Sequence, residues 1–273
     1  MRVGRIPWIN CYPVYGAMDR GLVSVPAELV SGTASELNDL LATGALQVSA
    51  VSAVEYARNA ALYHLLPDLA ITCDGPVHSV ALFSKRPLED LTGCTVLLSA
   101  SSRTSVLLLE LLCRHRWKIA PQFATARAEA PDLTTLAALP HEAVLVIGDA
   151  ALHLSTQSAY PLRIDLGEEW KAWTGLPFVF AVWAARRDAP AGGVRVIHGR
   201  LLQSRAWGLE HLDELAAAAA RNTGVAESVC RAYLGDLDYA LSYRHLAGLT
   251  DFFRRLAQDG LVPDGSLSFI SAA

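Results

Sequence analysis

Residues 176–185 read Leu-Pro-Phe-Val-Phe-Ala-Val-Trp-Ala-Ala, an apolar run dense in valine and aromatic side chains. Side chains of that kind suit a pleated, buried surface, and a run of this length bounded by turn residues fits a core strand. Its position decides the fold. It follows the polar stretch 165–175 and leads into helix-like segments, so it reads as a strand returning to a lobe that the chain has already begun.

Upstream, short strand-like runs alternate with helix-like ones: Val3–Ile9 then Tyr12–Met18, Ala27–Val30 then Ala34–Ala42, Val48–Val51 then Val54–His64. The alternation predicts an α/β fold of mostly parallel sheets flanked by helices. Ala70–Thr72 and Val77–Ser84 extend the series as strands until Lys85-Arg86-Pro87 breaks it, which marks the outward crossing. A second α/β set follows, with strands at Thr95–Ser99 and Ala143–Ile147 and helices at Val106–Arg116 and Asp149–Leu154. Beyond the returning strand, Val194–Arg205, Leu209–Asn222 and Leu246–Asp259 read as helices. Two lobes are expected, residues 1–84 plus 182–273 and residues 85–181, joined by two strand-like crossings able to act as a hinge. At 273 residues the chain can support two modest cores.

The composition is 52% hydrophobic and 18% charged, which implies an extensive core and little disorder. With 23 Lys+Arg against 27 Asp+Glu, the net charge is −4, and no overall basic field exists to hold nucleic acid or an anionic membrane. Cys11, Cys73, Cys94, Cys113 and Cys230 are scattered without a C-x-x-C pair, so neither a disulfide framework nor a zinc site is expected. The histidines have no metal-ligand spacing, and the sequence lacks Gly-x-Ser-x-Gly, Walker, Gly-x-Gly-x-x-Gly and His-Glu-x-x-His motifs. Neither metal nor cofactor is therefore expected. The first residues carry no secretion-signal pattern, and the longest apolar stretches are interrupted well short of the roughly 20 residues of a membrane span. A cytoplasmic location follows as the expectation.

Ligands of α/β proteins gather where strands feed helix N-termini, so the loops at Ile9–Pro13, Ser31–Glu36, Ser49–Ser52, Ser99–Ser105 and Ile147–Ala150 are the candidates. Thr33-Ala-Ser-Glu36 reads as a capping box. Ser99–Ser105 gathers more hydroxyls than one cap needs, together with Arg103, and suits a carboxylate. Asn10 either turns the chain or offers a donor and an acceptor to a ligand. Ser79 opens a strand after Gly75-Pro76, with His78 on the opposite face as a structural histidine. Asp149 either caps its own helix or acts as a general base. Phe178 either packs in the core or lines the pocket.

Together, Ile9-Asn-Cys-Tyr-Pro13, Ser49-Ala-Val-Ser-Ala-Val-Glu-Tyr-Ala-Arg58, Ser79-Val-Ala-Leu-Phe-Ser84, Thr104-Ser-Val106, Val146-Ile-Gly-Asp149, Asp165-Leu-Gly-Glu-Glu-Trp170 and Trp173-Thr-Gly-Leu-Pro-Phe-Val-Phe180 resemble the chorismate dehydratase family of the futalosine route to menaquinone. The resemblance covers residues 1 to about 186, and its strength lies in the number and order of the motifs. It implies a two-lobed fold like the type II periplasmic binding proteins, with the ligand in the interlobe cleft. It also implies a hydro-lyase that removes water from chorismate to give 3-[(1-carboxyvinyl)oxy]benzoate, with chorismate as its small-molecule partner. The candidate loops hold no histidine and few carboxylates, so the substrate's own enolpyruvyl carboxylate is the expected base, in a pocket that fixes its geometry. On this reading Asn10 and Ser79 are catalytic. Ser31, Ser52, Val80, Ser101, Ser102, Arg103, Thr104, Ser105, Gly148, Asp149 and Phe178 contact the substrate. Two alternatives remain: the sibling enzyme that forms dihydroxynaphthoate, whose first loop differs, and a non-catalytic binding protein for a small anion.

Overall fold

The structure is a computed structural model that describes residues 1–99, 103–126, 133–263 and 266–271. Two compact units are present, Met1–Thr72 with Val179–Ala273, and Cys73–Phe178. The chain passes between them at 72/73 and 178/179, whereas the sequence reading set the crossings at 84/85 and 181/182. The outward difference has a simple cause: Val80–Ser84 pairs on both sides with strands of the second unit.

The first unit is built on a five-stranded sheet of order β2-β1-β3-β10-β4. Its strands are β1 (Arg2–Arg5), β2 (Glu28–Ser31), β3 (Val48–Ser52), β4 (Tyr63–Cys73) and β10 (Phe178–Arg186). β1 runs parallel to β2 and β3, while β10 returns antiparallel to β3 with Val182 opposite Val51. Helices α1 (Tyr12–Asp19), α2 (Ala34–Ala42) and α3 (Ala53–Arg58) follow the three parallel strands. The expected helix Val54–His64 stops at Arg58, and β4 begins at Tyr63.

Packing explains why these segments hold together. The Tyr15 hydroxyl of α1 donates to the Gly4 carbonyl at 2.9 Å and accepts the Trp183 indole N–H at 3.0 Å, which ties helix, β1 and β10 through one buried ring. Burying side chains of that size contributes about 1.5–3 kcal/mol each. Burial likewise pushes the Tyr15 phenol far above its ordinary pKa, so it stays neutral. The long helix α8 (Ala191–Glu210) presses on α1 at Gly208, where an added Cβ would stand 2.2 Å from the Pro13 carbonyl oxygen. Only glycine permits that approach. Helices α9 (Leu212–Thr223), α10 (Glu227–Asp236) and α11 (Tyr243–Gln258) complete the unit.

The second unit has a five-stranded sheet of order β7-β6-β8-β5-β9, made of β5 (Val80–Ser84), β6 (Thr95–Ser99), β7 (Gln122–Ala126), β8 (Ala143–Ile147) and β9 (Leu162–Asp165). β6 runs parallel to β7 and β8, whereas β5 lies antiparallel between β8 and β9. Both sheets are therefore mixed; the parallel reading holds for β1 with β2 and β3 and for β6 with β7 and β8, and fails at β5 and β10. Helices α4 (Arg103–Leu111), α5 (Leu133–Ala138), α6 (Asp149–Leu154) and α7 (Leu166–Thr174) flank the sheet. Ala81, Phe83, Leu97, Leu136, Val144, Val146, Ala150, Ala151 and Leu154 form one continuous core beneath it. Among the described residues, no helix is long and apolar enough to cross a membrane.

Candidate active site

In the first unit, the carboxyl ends of β1, β2 and β3 lead to Asn10, Ser31 and Ser52, so three sequence candidates come to one edge of one sheet. Asn10 sits in the single 3-10 turn Ile9–Cys11 that joins β1 to α1. Its side-chain oxygen Oδ1 is buried and meets no hydrogen-bond partner among the described residues. An unpaired buried acceptor costs about 1–3 kcal/mol, a cost that a ligand donor would remove.

Ser52 is partly occupied by structure, because its hydroxyl caps α3 by accepting the Glu55 N–H at 3.2 Å. The capping box expected at Thr33 is also present: Glu36 N–H donates to the Thr33 hydroxyl and the Thr33 N–H donates to the Glu36 carboxylate at 2.8 Å. Ser31 is exposed and accepts from Arg5 Nη1 at 3.5 Å. It borders an open cavity of about 550 Å³ whose wall includes Glu36 and Asp39. Two carboxylates there disfavour an anion, so Ser31 offers the weakest support of the three.

In the second unit, β6 and β8 end at the edge where antiparallel β5 starts, which brings Ser99, Ile147 and Val80 to one side of the sheet. Val80 lies opposite Ile147 in the register. Immediately before it, Ser79 is 3% exposed, and its carbonyl accepts the Gly148 N–H at 2.7 Å. Thr104 and Ser105, in the first turn of α4, are buried, while Arg103 is exposed. Ser101 and Ser102 lie outside the described residues.

Gly148 has φ 65° and ψ −148° and is itself the N-cap of α6, which makes Asp149 the first helical residue. The N-cap position weighed for Asp149 thus belongs to Gly148. Phe178 is 1% exposed and meets the Trp170 ring edge-on, with centroids 5.2 Å apart. Phe178 thus packs in the core. Nearby Cys73 is no nucleophile at neutral pH, since burial, with the charge of Asp165 adding, pushes its thiol up to about 12. Among the described residues, no group of histidine, cysteine and carboxylate side chains could hold a metal ion.

The turn before Ser79 differs from the sequence reading. His78 is not a strand residue on the face opposite Ser79; it has φ 63°, and the Ser79 N–H donates across it to the Val77 carbonyl at 2.7 Å. An i to i+2 bond around a positive-φ residue is the rare and strained form of the γ-turn. Asp165, 6% exposed, meets that turn from β9: Oδ1 accepts the Val77 N–H at 3.0 Å and Oδ2 accepts the His78 N–H at 2.7 Å. Oδ1 also takes the Gly167 and Glu168 N–H groups at the start of α7. The sequence offered only the local half of this arrangement, since an aspartate before Leu-Gly-Glu-Glu signals a helix N-cap.

The comparisons with known proteins agree with this architecture. A family model described as menaquinone biosynthesis matches residues 1–258. Chorismate dehydratase of Thermus thermophilus is 36% identical over 237 residues, 81% of this chain and 84% of that one. The 1,4-dihydroxy-6-naphtoate synthase of the same organism is 27% identical over 218 residues, 78% of this chain and 76% of that one. The periplasmic aliphatic sulphonate binding protein of Escherichia coli superposes with a TM-score of 0.69 at 14% identity, covering 97% of this chain and 95% of that one, and so shares the fold. Sequence match along nearly the whole chain, set on a periplasmic-binding-protein-like fold, places this protein in the menaquinone biosynthesis family.

Proposed function

We propose that this protein is a chorismate dehydratase, a hydro-lyase that eliminates water from chorismate to give 3-[(1-carboxyvinyl)oxy]benzoate, with the substrate's enolpyruvyl carboxylate as the base. The observation that carries the reading is the identity to the Thermus chorismate dehydratase across four-fifths of the chain; the relative that makes dihydroxynaphthoate is more distant. The chemistry asks little of the protein. The proton on the ring carbon bearing the enolpyruvyl ether moves to the carboxylate, its bonding pair becomes a ring double bond, and the hydroxyl on the next ring carbon leaves as water by taking that proton from the carboxyl group. The ring becomes aromatic, so the driving force is in the substrate.

What remains for the chain is to hold the reacting groups in a near-attack geometry, which can lower a barrier by about 7–11 kcal/mol. Asn10, whose Oδ1 meets no partner among the described residues, is assigned to the reacting end of the substrate; Ser79, with the buried hydroxyls of Thr104 and Ser105, is assigned to its carboxylates. Neutral donors suit this task because they orient an anion without neutralising the carboxylate that must accept a proton. Incubation of the purified chain with chorismate tests the reading: the product has one water less and a benzoate absorbance. Unchanged chorismate after prolonged incubation with folded protein would refute it.

A further inference from the structure

The turn that presents Ser79 is conformationally costly, and the residues that hold it come from a strand more than eighty positions later. His78, at φ 63°, is one of three non-glycine residues with positive φ among the described residues. Such a conformation costs of order 1–3 kcal/mol and persists only where surrounding structure imposes it. Here both flanks of the turn are held. The Asp165 carboxylate takes the Val77 and His78 N–H groups on separate oxygens. Arg163 Nη2 donates to the His78 carbonyl at 2.8 Å and lies 3.4 Å from Asp165 Oδ2. Downstream, the Ser79 carbonyl is fixed by Gly148.

We infer that Asp165, assisted by Arg163, is a positioning residue that clamps the strained turn at His78 and thereby sets the Ser79 hydroxyl for its substrate. The inference rests on the assignment of Ser79 made above. The division of labour between the two oxygens makes it testable. Oδ1 serves Val77 and the first turn of α7, whereas Oδ2 serves His78 and Arg163. Asp165→Asn keeps an acceptor for the helix cap but turns a donor toward the His78 N–H and the Arg163 guanidinium. The variant therefore releases the turn selectively. His78→Gly removes the conformational cost at its source, because glycine adopts positive φ without a clamp.

Two measurements read this on the full chain. Amide hydrogen exchange in residues 77–80 should rise at least about tenfold in Asp165→Asn, with the exchange of α7 little changed, and this readout needs no activity. Unchanged exchange at 77–80 would overturn the clamp whether or not chorismate is the substrate. Second, kcat for chorismate should fall about 10²-fold in Asp165→Asn, as expected for a misplacement near 1 Å, with KM moved far less. Asp165→Asn/His78→Gly should recover a substantial part of that loss. In a Ser79→Ala background, Asp165→Asn should add almost nothing, because a residue acting through Ser79 has no further effect once the hydroxyl is gone. Full additivity of the two losses would mean a general structural role and sink the positioning role. Inactive wild type would instead fault the functional reading, leaving the exchange experiment to judge the clamp.

Discussion

The backbone carbonyl of Ser79 accepts the N–H of Gly148 at 2.7 Å, which ties the start of β5 to the end of β8 and makes two candidate loops one unit. Gly148 reaches that bond only in its own conformation, φ 65° with ψ −148°, a region closed to side chains. Gly148→Ala is therefore expected to lower stability by about 1–3 kcal/mol in urea unfolding. Turnover should fall well beyond what the lost stability explains, because the Ser79 carbonyl must move when its donor moves. A Gly148→Ala enzyme with wild-type kcat would show that this edge of the sheet does not meet the substrate.

Asn10 makes the opposite prediction for stability. Its Oδ1 is buried and meets no partner among the described residues, so removing it discards no hydrogen bond to them. Asn10→Ala should unfold within about 1 kcal/mol of the parent, the range of substitutions that break no network. Chorismate turnover should fall by about 10²-fold or more, the usual cost of losing one preorganised polar group at a reacting centre. Paired thermal melts and initial rates separate the effects. A strongly destabilised Asn10→Ala with normal rate would make Asn10 a fold residue.

Local signals explain what could be read in the sequence. Helices at Tyr12–Asp19, Ala34–Ala42 and Asp149–Leu154 were legible because each begins at a loop after a short apolar strand and carries its own pattern. So was the capping box at Thr33, whose two partners are three residues apart. The expected helix Val54–His64 failed because apolar residues continue past its end; Asn59 closes α3 and Tyr63 opens β4, with burial in the sheet deciding against helical spacing. β9 escaped notice because Leu162-Arg-Ile-Asp165 is short and half polar. The turn at His78 was illegible for a deeper reason. Its partner Asp165 is 88 residues from Val77, and no local pattern reports a bond across that distance. Asn10, after a strand, and Ser79, at the opening of one, could be singled out by residue type and position, but not what each lacks or receives.

Histidine protonation should limit stability in mild acid. His141 is 5% exposed; Nδ1 bonds the Leu139 carbonyl at 2.7 Å, so the proton sits there, and Nε2 accepts from the Tyr160 hydroxyl at 2.6 Å. Desolvation holds its pKa below the ordinary value, and the same cause lowers His198 and His64. The unfolded chain then binds protons more readily than the folded one, so stability is fully present above the ordinary histidine pKa near 6.5 and is lost as pH falls below it. The urea midpoint should drop between pH 7 and pH 5.5. His141→Asn should be less stable at pH 7 yet show a shallower fall, and an unchanged slope would exclude His141 as a contributor.

Asp149 decides between a substrate base and a protein base. It is the first residue of α6, half-buried beside Gly148, and so lies on the same sheet edge as Ser79. With Gly148 as N-cap, the carboxylate is not needed to start the helix, although a negative charge in the first turn contributes about 0.3–1 kcal/mol. Asp149→Asn keeps the size and polarity of the side chain and removes only its basicity. If the enolpyruvyl carboxylate takes the ring proton, kcat should stay within about tenfold of the parent, since the substitution then alters binding and not proton transfer. General-base catalysis by Asp149 would cost about 10²–10⁴-fold when the base is removed, and it would give the parent a kcat that declines as that carboxylate protonates. A rate loss of that size, with KM unchanged and folding intact, would replace the substrate's carboxylate by Asp149 in the mechanism. A near-normal rate leaves the chain's part as orientation, with the base carried in by chorismate itself.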